Sequence, residues 1–215
     1  MNHHIILREY QKSDRKLLED VVRETWNYDR FCTPKTAAKL ASVYLSSCLA
    51  NQTFTQVALM NDTPVGIIMV KNRKKHKCPF GFAIKRAASI ISLLCSKEGR
   101  TVSRIFECVE TIDQELLCQC KTDYQGELAF FAVSQTCRGK GVGKALFEKA
   151  LEYMREEHIC NFYLFTDTSC NYGFYEHQGM ERQQEKKHSF YINGQQEEMT
   201  FFLYDHQTSH AQKIN

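Results

Sequence analysis

The chain lacks what an export-stabilised scaffold, an extended fibre or a membrane anchor requires. Only three of its 215 residues are proline and only one is tryptophan. So little proline excludes polyproline and low-complexity stretches. No run reaches the roughly 18 apolar residues of a membrane-spanning helix, and residues 1–10 hold only a three-residue apolar run, so neither a membrane span nor a signal peptide is expected. The formal charge of +3 is too small to imply a nucleic-acid partner. Ten cysteines are present but form no framework; the one close pair, Cys118-x-Cys120, is not a zinc-ribbon spacing. No His/Cys/Asp group has metal-ligand spacing, and no metal is expected. Cysteines without a framework or an export signal point to a reducing cytoplasm and mostly buried thiols.

What the chain does have is apolar content, 43% of residues, in a length sufficient for one full core. One domain over residues 1–206 with a polar tail at 207–215 accounts for it, and no internal repeat is visible. Residues 3–9 read as a first strand. Ser13 offers an N-cap to a helix striped by Leu17, Leu18, Val21, Val22 and Trp26. Thr33-Pro34 opens a second helix, with proline in its first turn. Residues 54–60 and 65–70 form a hairpin around the turn at residues 61–64. In residues 71–125, the basic run Lys71, Arg73, Lys74, Lys75 and Lys77 reads as a solvated loop. Two helical stripes follow it. One is Ile84, Ala87, Ala88, Ile91, Leu94 and Cys95; the other is Ile105, Phe106, Val109, Ile112, Leu116, Leu117 and Cys120. Both are read as packing on the core, in a helical insertion. Residues 161–167 are an aromatic strand, residues 168–180 a short helix ending near Gly179, and residues 187–192 and 199–204 a hairpin about Asn193-Gly194.

The stretch that organises the rest is residues 126–157. Residues 127–133 are an apolar run typical of a buried strand. From Val142 the apolar residues recur at helical spacing. Between them lies Arg138-Gly139-Lys140-Gly141-Val142-Gly143, followed by Lys144. Glycines allow backbone N–H groups close to a ligand, the helix N-terminus adds unpaired donors and a positive dipole end, and three cations add charge. Together they describe a pocket for a phosphate-bearing ligand. A P-loop is excluded: counting back five from Gly143 gives Arg138, and Ala145 follows Lys144 where a hydroxyl is needed. A dinucleotide loop fits poorly, since the pattern is GxGxG and the candidate acid, Asp167, lies 26 residues beyond Gly141.

Arg138-x-x-Gly141-x-Gly143, after an apolar strand and before an amphipathic helix, resembles the acetyl-coenzyme A pyrophosphate loop of the GNAT (GCN5-related N-acetyltransferase) superfamily. A second element, residues 174–180 (FYEHQGM), resembles that family's F/L-Y-x-x-x-G-F segment, with Met180 in place of phenylalanine. The resemblance implies an α/β (α+β) GNAT fold: a mixed central sheet flanked by helices, here with the insertion at 71–125 ahead of the central strand. It implies acetyl-coenzyme A (acetyl-CoA) as co-substrate and a primary amine as acceptor. The motifs leave open whether that amine is a polyamine, an aminoglycoside, an amino acid or a protein amine.

Carried over residue by residue, the resemblance makes Tyr175 the acid that protonates the leaving thiolate, a role a phenol near pKa 10 suits. The family often has asparagine seven residues before that tyrosine; Thr168 stands there, and Asn171 is the substitute for contact with the pantetheine. Glu127 opens the central strand as in the histone-acetyltransferase branch and is the candidate base. Strand alternation would put it on one face with Ala129, Phe131 and Val133, in apolar surroundings that raise its pKa. The backbone of Phe131, Ala132 and Val133 would pair with the pantetheine arm where this strand splays from the next. Residues 138–144, meaning Arg138, Gly139, Lys140, Gly141, Val142, Gly143 and Lys144, would hold the pyrophosphate. Cys137 is read as incidental. The reading is direct acetyl transfer in a ternary complex, with a homodimer possible. The alternatives are a longer acyl donor, a catalytically silent acyl-CoA-binding module that contacts a protein, and, most distant, a nucleotide-binding oxidoreductase.

Overall fold

The computed structural model describes residues 5–192 and 195–207. Its spine is one seven-stranded sheet in the order β1-β2-β3-β4-β5-β7-β6. The strands are β1 (Ile5–Arg8), β2 (Phe54–Met60), β3 (Thr63–Asn72), β4 (Gly126–Val133), β5 (Asn161–Asp167), β6 (Glu181–Ile192) and β7 (Gln195–Gln207). The helices are α1 (Arg15–Thr25), α2 (Pro34–Ala50), α3 (Phe80–Leu94), α4 (Lys97–Gln119), α5 (Val142–Glu156) and α6 (Gly173–His177). All neighbouring strands are antiparallel except β4 and β5, which are joined through α5 and run parallel. A crossover helix is what such a connection needs.

The central strands are buried on both faces, which is why they read as continuous apolar runs. Ile67 and Met69 of β3 pack with Leu18, Val22, Leu45 and Leu49 of α1 and α2. Ile68 and Val70 pack with Leu146, Phe147 and Met154 of α5. Over β5, β7 and β6, Ile112 and Leu116 of α4 meet Tyr163, Phe190, Phe201 and Leu203. Each such large side chain contributes about 1.5–3 kcal/mol by leaving water.

Several local expectations are corrected. Ser13 is not the cap of α1. Asp14, 2% exposed, takes the preceding position, and its carboxylate accepts from Gln11 N–H at 2.8 Å and from Arg8 at 2.7 Å. The stripe read in α3 faces outward: Ile84 is 53% and Ile91 64% exposed, while Leu93 is buried and Ser89 meets Ser42 and Ser46 of α2. This helix has apolar residues on nearly every side, so periodicity alone did not identify its buried face. The insertion is nonetheless tied to the core. Glu98, in the first turn of α4, accepts from Thr33 N–H at 2.8 Å, from Thr33 Oγ1 at 2.7 Å and from the Thr36 hydroxyl. A carboxylate from the insertion thereby caps the N-terminus of α2, where helix polarity favours it. The basic run begins inside β3 and is partly paired, Lys75 with Glu157 at 2.7 Å and the Arg73 guanidinium with the Tyr124 carbonyl at 3.0 Å. The last hairpin is longer than read. The Asn193-Gly194 turn, residues 1–2, residues 3–4 of the strand read at 3–9, and the tail from 208 lie outside the described residues.

Two irregularities open the centre of the sheet. In β4, Lys71 pairs with Glu127 but Met69 with Phe130, so Leu128 and Ala129 together oppose Val70. This is a β-bulge, and it switches which face each later side chain occupies. The parallel β4–β5 pairing comprises only Gly126 with Phe162 and Glu127 with Tyr163. Beyond residue 127 the two strands part.

Candidate active site

The parting of β4 and β5 opens a cavity of about 480 Å³ lined by residues 128–133 of the one and residues 164–167 of the other. Its first end is the glycine loop. Gly139 and Gly141 sit at φ +74° and +83°, a region side chains with a Cβ rarely enter, and Gly141 is the residue on which α5 begins. Gly143 has an ordinary φ, and a Cβ there would stand 3.6 Å from the rings of Phe131 and Phe174, a normal contact. Arg138 and Lys144 line this end, so two cations and the N-terminus of α5 face one opening.

Tyr175 stands midway. It lines the same cavity, with its ring centroid 6.4 Å from Phe131 and 5.7 Å from Phe174. Burial raises its pKa, so the hydroxyl stays protonated through the neutral range. The short helix α6 is anchored behind it. Tyr204 Oη donates to Glu176 at 2.6 Å, and the Arg182 guanidinium donates to Tyr204 Oη and to Glu176, each at 3.0 Å. Arg182 also lies over the Phe202 ring, 4.3 Å from its centroid. A five-residue helix without this clamp would fray.

Phe131, Ala132, Val133, Arg138, Gly139, Gly141, Gly143, Lys144, Asn171 and Tyr175 therefore meet at one cavity. Three other anticipated residues do not line it. Lys140 is exposed at the loop tip, and Val142 is 1% exposed in the core beneath α5. Glu127 is the third. The bulge puts it on the face opposite Phe131 and Val133, beside its strand partner Lys71 (3.9 Å). Burial raises its pKa, partly offset by Lys71 and by a hydrogen bond from Tyr163. The raised pKa anticipated for this carboxylate is present, but its neighbours are Lys71 and Tyr163 and not the apolar row of Phe131 and Val133. Cys137 is buried in the core, and His177 is exposed, with its ring nitrogen 2.5 Å from the Gly173 carbonyl.

The second end was not foreseen as a whole. It is walled by Trp26, Tyr28, Tyr44, Phe106 and Phe130, and it carries two carboxylates, Asp113 of α4 and Asp167 at the end of β5. Trp26 stacks on Phe130 at 5.7 Å and meets Tyr44 edge-on at 5.0 Å. Burial, then the neighbouring charges of Asp167, Glu127 and Glu110, push Asp113 up to about 8. A sequence signal existed. Asp113 falls on the stripe of Val102, Phe106, Val109 and Leu116, an acid where helical spacing calls for an apolar residue.

A family model for the acetyltransferase (GNAT) family matches residues 18–180. The chain belongs to that family. No curated protein matches its sequence. Solved structures share its fold at low identity. One is a ribosomal-protein-alanine N-acetyltransferase from Brucella melitensis, 13% identical, TM-score 0.55, with 94% of this chain and 99% of that one covered. Another is a GNAT acetyltransferase from Streptococcus pneumoniae, 15% identical, TM-score 0.52, covering 95% and 99%. A third, named SsHAT, is 16% identical, TM-score 0.59, covering 95% and 98%. The mixed sheet flanked by helices is the fold these relatives share. Among the described residues no helix is long and apolar enough to cross a membrane, and no His/Cys/Asp/Glu group is arranged to hold a metal.

Proposed function

We propose that this chain is an N-acetyltransferase that moves the acetyl group of acetyl-CoA to a primary amine by direct attack in a ternary complex. Its strongest support is one juxtaposition: a cationic glycine loop at a helix N-terminus, an unpaired strand edge and a half-buried tyrosine all border one cavity. Residues fit for the coenzyme are present at each point. The loop offers N–H groups, Arg138 and Lys144 to phosphates. The edge of β4 beyond residue 127 offers backbone donors and acceptors to the amides of an extended arm. Asn171 adds a side-chain amide at the cavity rim.

Acetyl-CoA supplies an activated thioester carbonyl. The strand edge fixes that carbonyl beside Tyr175 and polarises it through an N–H donor. The attacking amine must be neutral. As the carbon–nitrogen bond forms and the carbon–sulfur bond breaks, the Tyr175 hydroxyl gives its proton to the departing thiolate. Apolar walls exclude water that would hydrolyse the thioester.

Calorimetric titration with acetyl-CoA, coenzyme A and NAD tests the assignment. Binding of both coenzyme A forms and not NAD, abolished when Gly141 and Gly143 are replaced by bulky residues, is the expected result. Failure of either coenzyme A form to bind refutes it, and the glycine loop is then only a turn.

A further inference from the structure

The second end of the cavity has the composition of a receptor for one kind of molecule. Its walls are aromatic, it carries two carboxyl groups, and the cations that line the cavity, Arg138 and Lys144, belong to the loop end. Two observations beyond the acids themselves point to a ligand. The Tyr28 side chain is 3% exposed and lines the cavity, yet its hydroxyl has no hydrogen-bond partner among the described residues; the Thr25 hydroxyl, also on the lining, is in the same condition. Buried hydroxyls without partners are rare and costly, because each has given up water for nothing. Likewise, no hydrogen bond or ion pair reaches the Asp113 carboxylate among the described residues, whereas Asp167 is held by Ser169 N–H at 2.7 Å and Ser169 Oγ at 2.5 Å.

We infer that the acceptor is a primary amine on a short chain carried by an aromatic ring: the ring lies among Trp26, Tyr44 and Phe106, and Asp113 with Asp167 receives the ammonium group. The inference rests on the acetyltransferase reading and names its substrate class. On binding, the ammonium displaces to solvent the proton that Asp113 holds in the empty site; Asp113 then takes one proton from the ammonium, leaving the nitrogen lone pair free to attack. The carbon–nitrogen bond forms, the carbon–sulfur bond breaks, and the thiolate takes the Tyr175 proton. The nitrogen's second proton restores Tyr175, so one proton in total leaves to solvent through Asp113. An amino acid is disfavoured, because its carboxylate would enter a chamber that already holds two.

The test uses the full chain and three acceptors: 2-phenylethylamine, ethylamine and phenylalanine. Thiol release from acetyl-CoA should show kcat/KM for 2-phenylethylamine on the order of 50-fold above ethylamine, the worth of burying a phenyl ring. Phenylalanine should fall below 2-phenylethylamine by a similar factor. Calorimetry is then run with 2-phenylethylamine and its uncharged analogue 2-phenylethanol, with and without coenzyme A. Asp113→Asn should weaken the amine roughly 10- to 100-fold and leave the alcohol and coenzyme A unchanged, which also reads out correct folding. Asp167→Asn should show the same selectivity to a lesser degree.

Equal turnover of ethylamine or phenylalanine overturns the inference, as does a loss of amine and alcohol affinity together. Turnover of spermidine without any of 2-phenylethylamine overturns it while leaving the acetyltransferase reading intact. Binding of 2-phenylethylamine to a chain that binds no coenzyme refutes the enzyme and leaves the aromatic amine site standing.

Discussion

The two ends of the cavity are built by opposite means. The loop end is contiguous: residues 138–144 follow one another, and backbone conformation makes them a site, with Gly139 and Gly141 at positive φ. The aromatic end is assembled from five distant places, the α1–α2 connection, α2, α4, β4 and the end of β5. One end presents cations and N–H groups, the other carboxylates and rings. A backbone-built site carries a signature of order and spacing. A site built of scattered side chains on several elements carries none until the chain is folded. Tyr175 stands between them, so the comparison divides into variants that should damage one end, the other, or the junction.

The junction gives the largest effect. Tyr175→Phe keeps the ring against Phe131 and Phe174 and removes only the hydroxyl. Turnover should fall on the order of 100- to 10,000-fold while affinities for coenzyme A and for 2-phenylethylamine hold. Unchanged kcat would remove Tyr175 from the chemistry. Next comes the loop. Gly141→Val forces a β-branched residue to φ +83°, worth about 1–3 kcal/mol of strain, and the loop relieves that strain by leaving its present shape. Coenzyme affinity should drop roughly 100-fold with 2-phenylethylamine binding intact. A joint loss would show that the two ends are one cooperative unit.

Asp113 sharpens the comparison through pH. In the folded chain it holds its proton up to about 8; unfolded, an aspartate releases it near pKa 3.9. Between these values the folded state binds more protons, so stability falls as pH rises. The groups whose charge reaches Asp113 are Glu110 on its own helix, Glu127 of β4, Asp167 and Tyr163 of β5 and Tyr44 of α2. Cys108, also on α4, meets His188 of β6 at 3.4 Å. Asp113→Asn should therefore raise the ligand-free melting temperature at pH 8 by roughly 2–5 °C and leave it nearly unchanged at pH 4. A variant that loses amine binding yet gains stability marks a residue kept for function. A melting temperature that falls at pH 8 would show that Asp113 is a structural group.

The same contrast explains how far the sequence could be read. The element order along the chain, the loop and the crossover helix were legible because apolar runs, glycine spacing and helical periodicity are local. The face of Glu127 was not, since a bulge set by the pairing of Met69 with Phe130 and Lys71 with Glu127 reverses alternation within one strand. The buried side of α3 was not, because Ile84 and Ile91 are as apolar as Leu93 and only the position of α2 chooses between them. Asp113 was visible as a misfit in the α4 stripe, but its partners Tyr28 and Asp167 lie 85 residues before and 54 after it. No pattern joins them.

The smallest effect should come from behind the junction. Tyr204 is fully buried, and its hydroxyl links α6 to the β6–β7 hairpin by donating to Glu176 and accepting from Arg182. In Tyr204→Phe the direct Arg182–Glu176 pair at 3.0 Å remains. One hydrogen bond of about 1 kcal/mol is lost, a fall of roughly 2–4 °C for a chain of this length. If α6 is held for the sake of Tyr175, kcat should fall several-fold while both affinities stay, since neither end of the cavity has been touched. If kcat is unchanged, the packing of Tyr175 among Phe131, Phe174 and Tyr204 is enough to fix its hydroxyl, and the clamp serves only the hairpin.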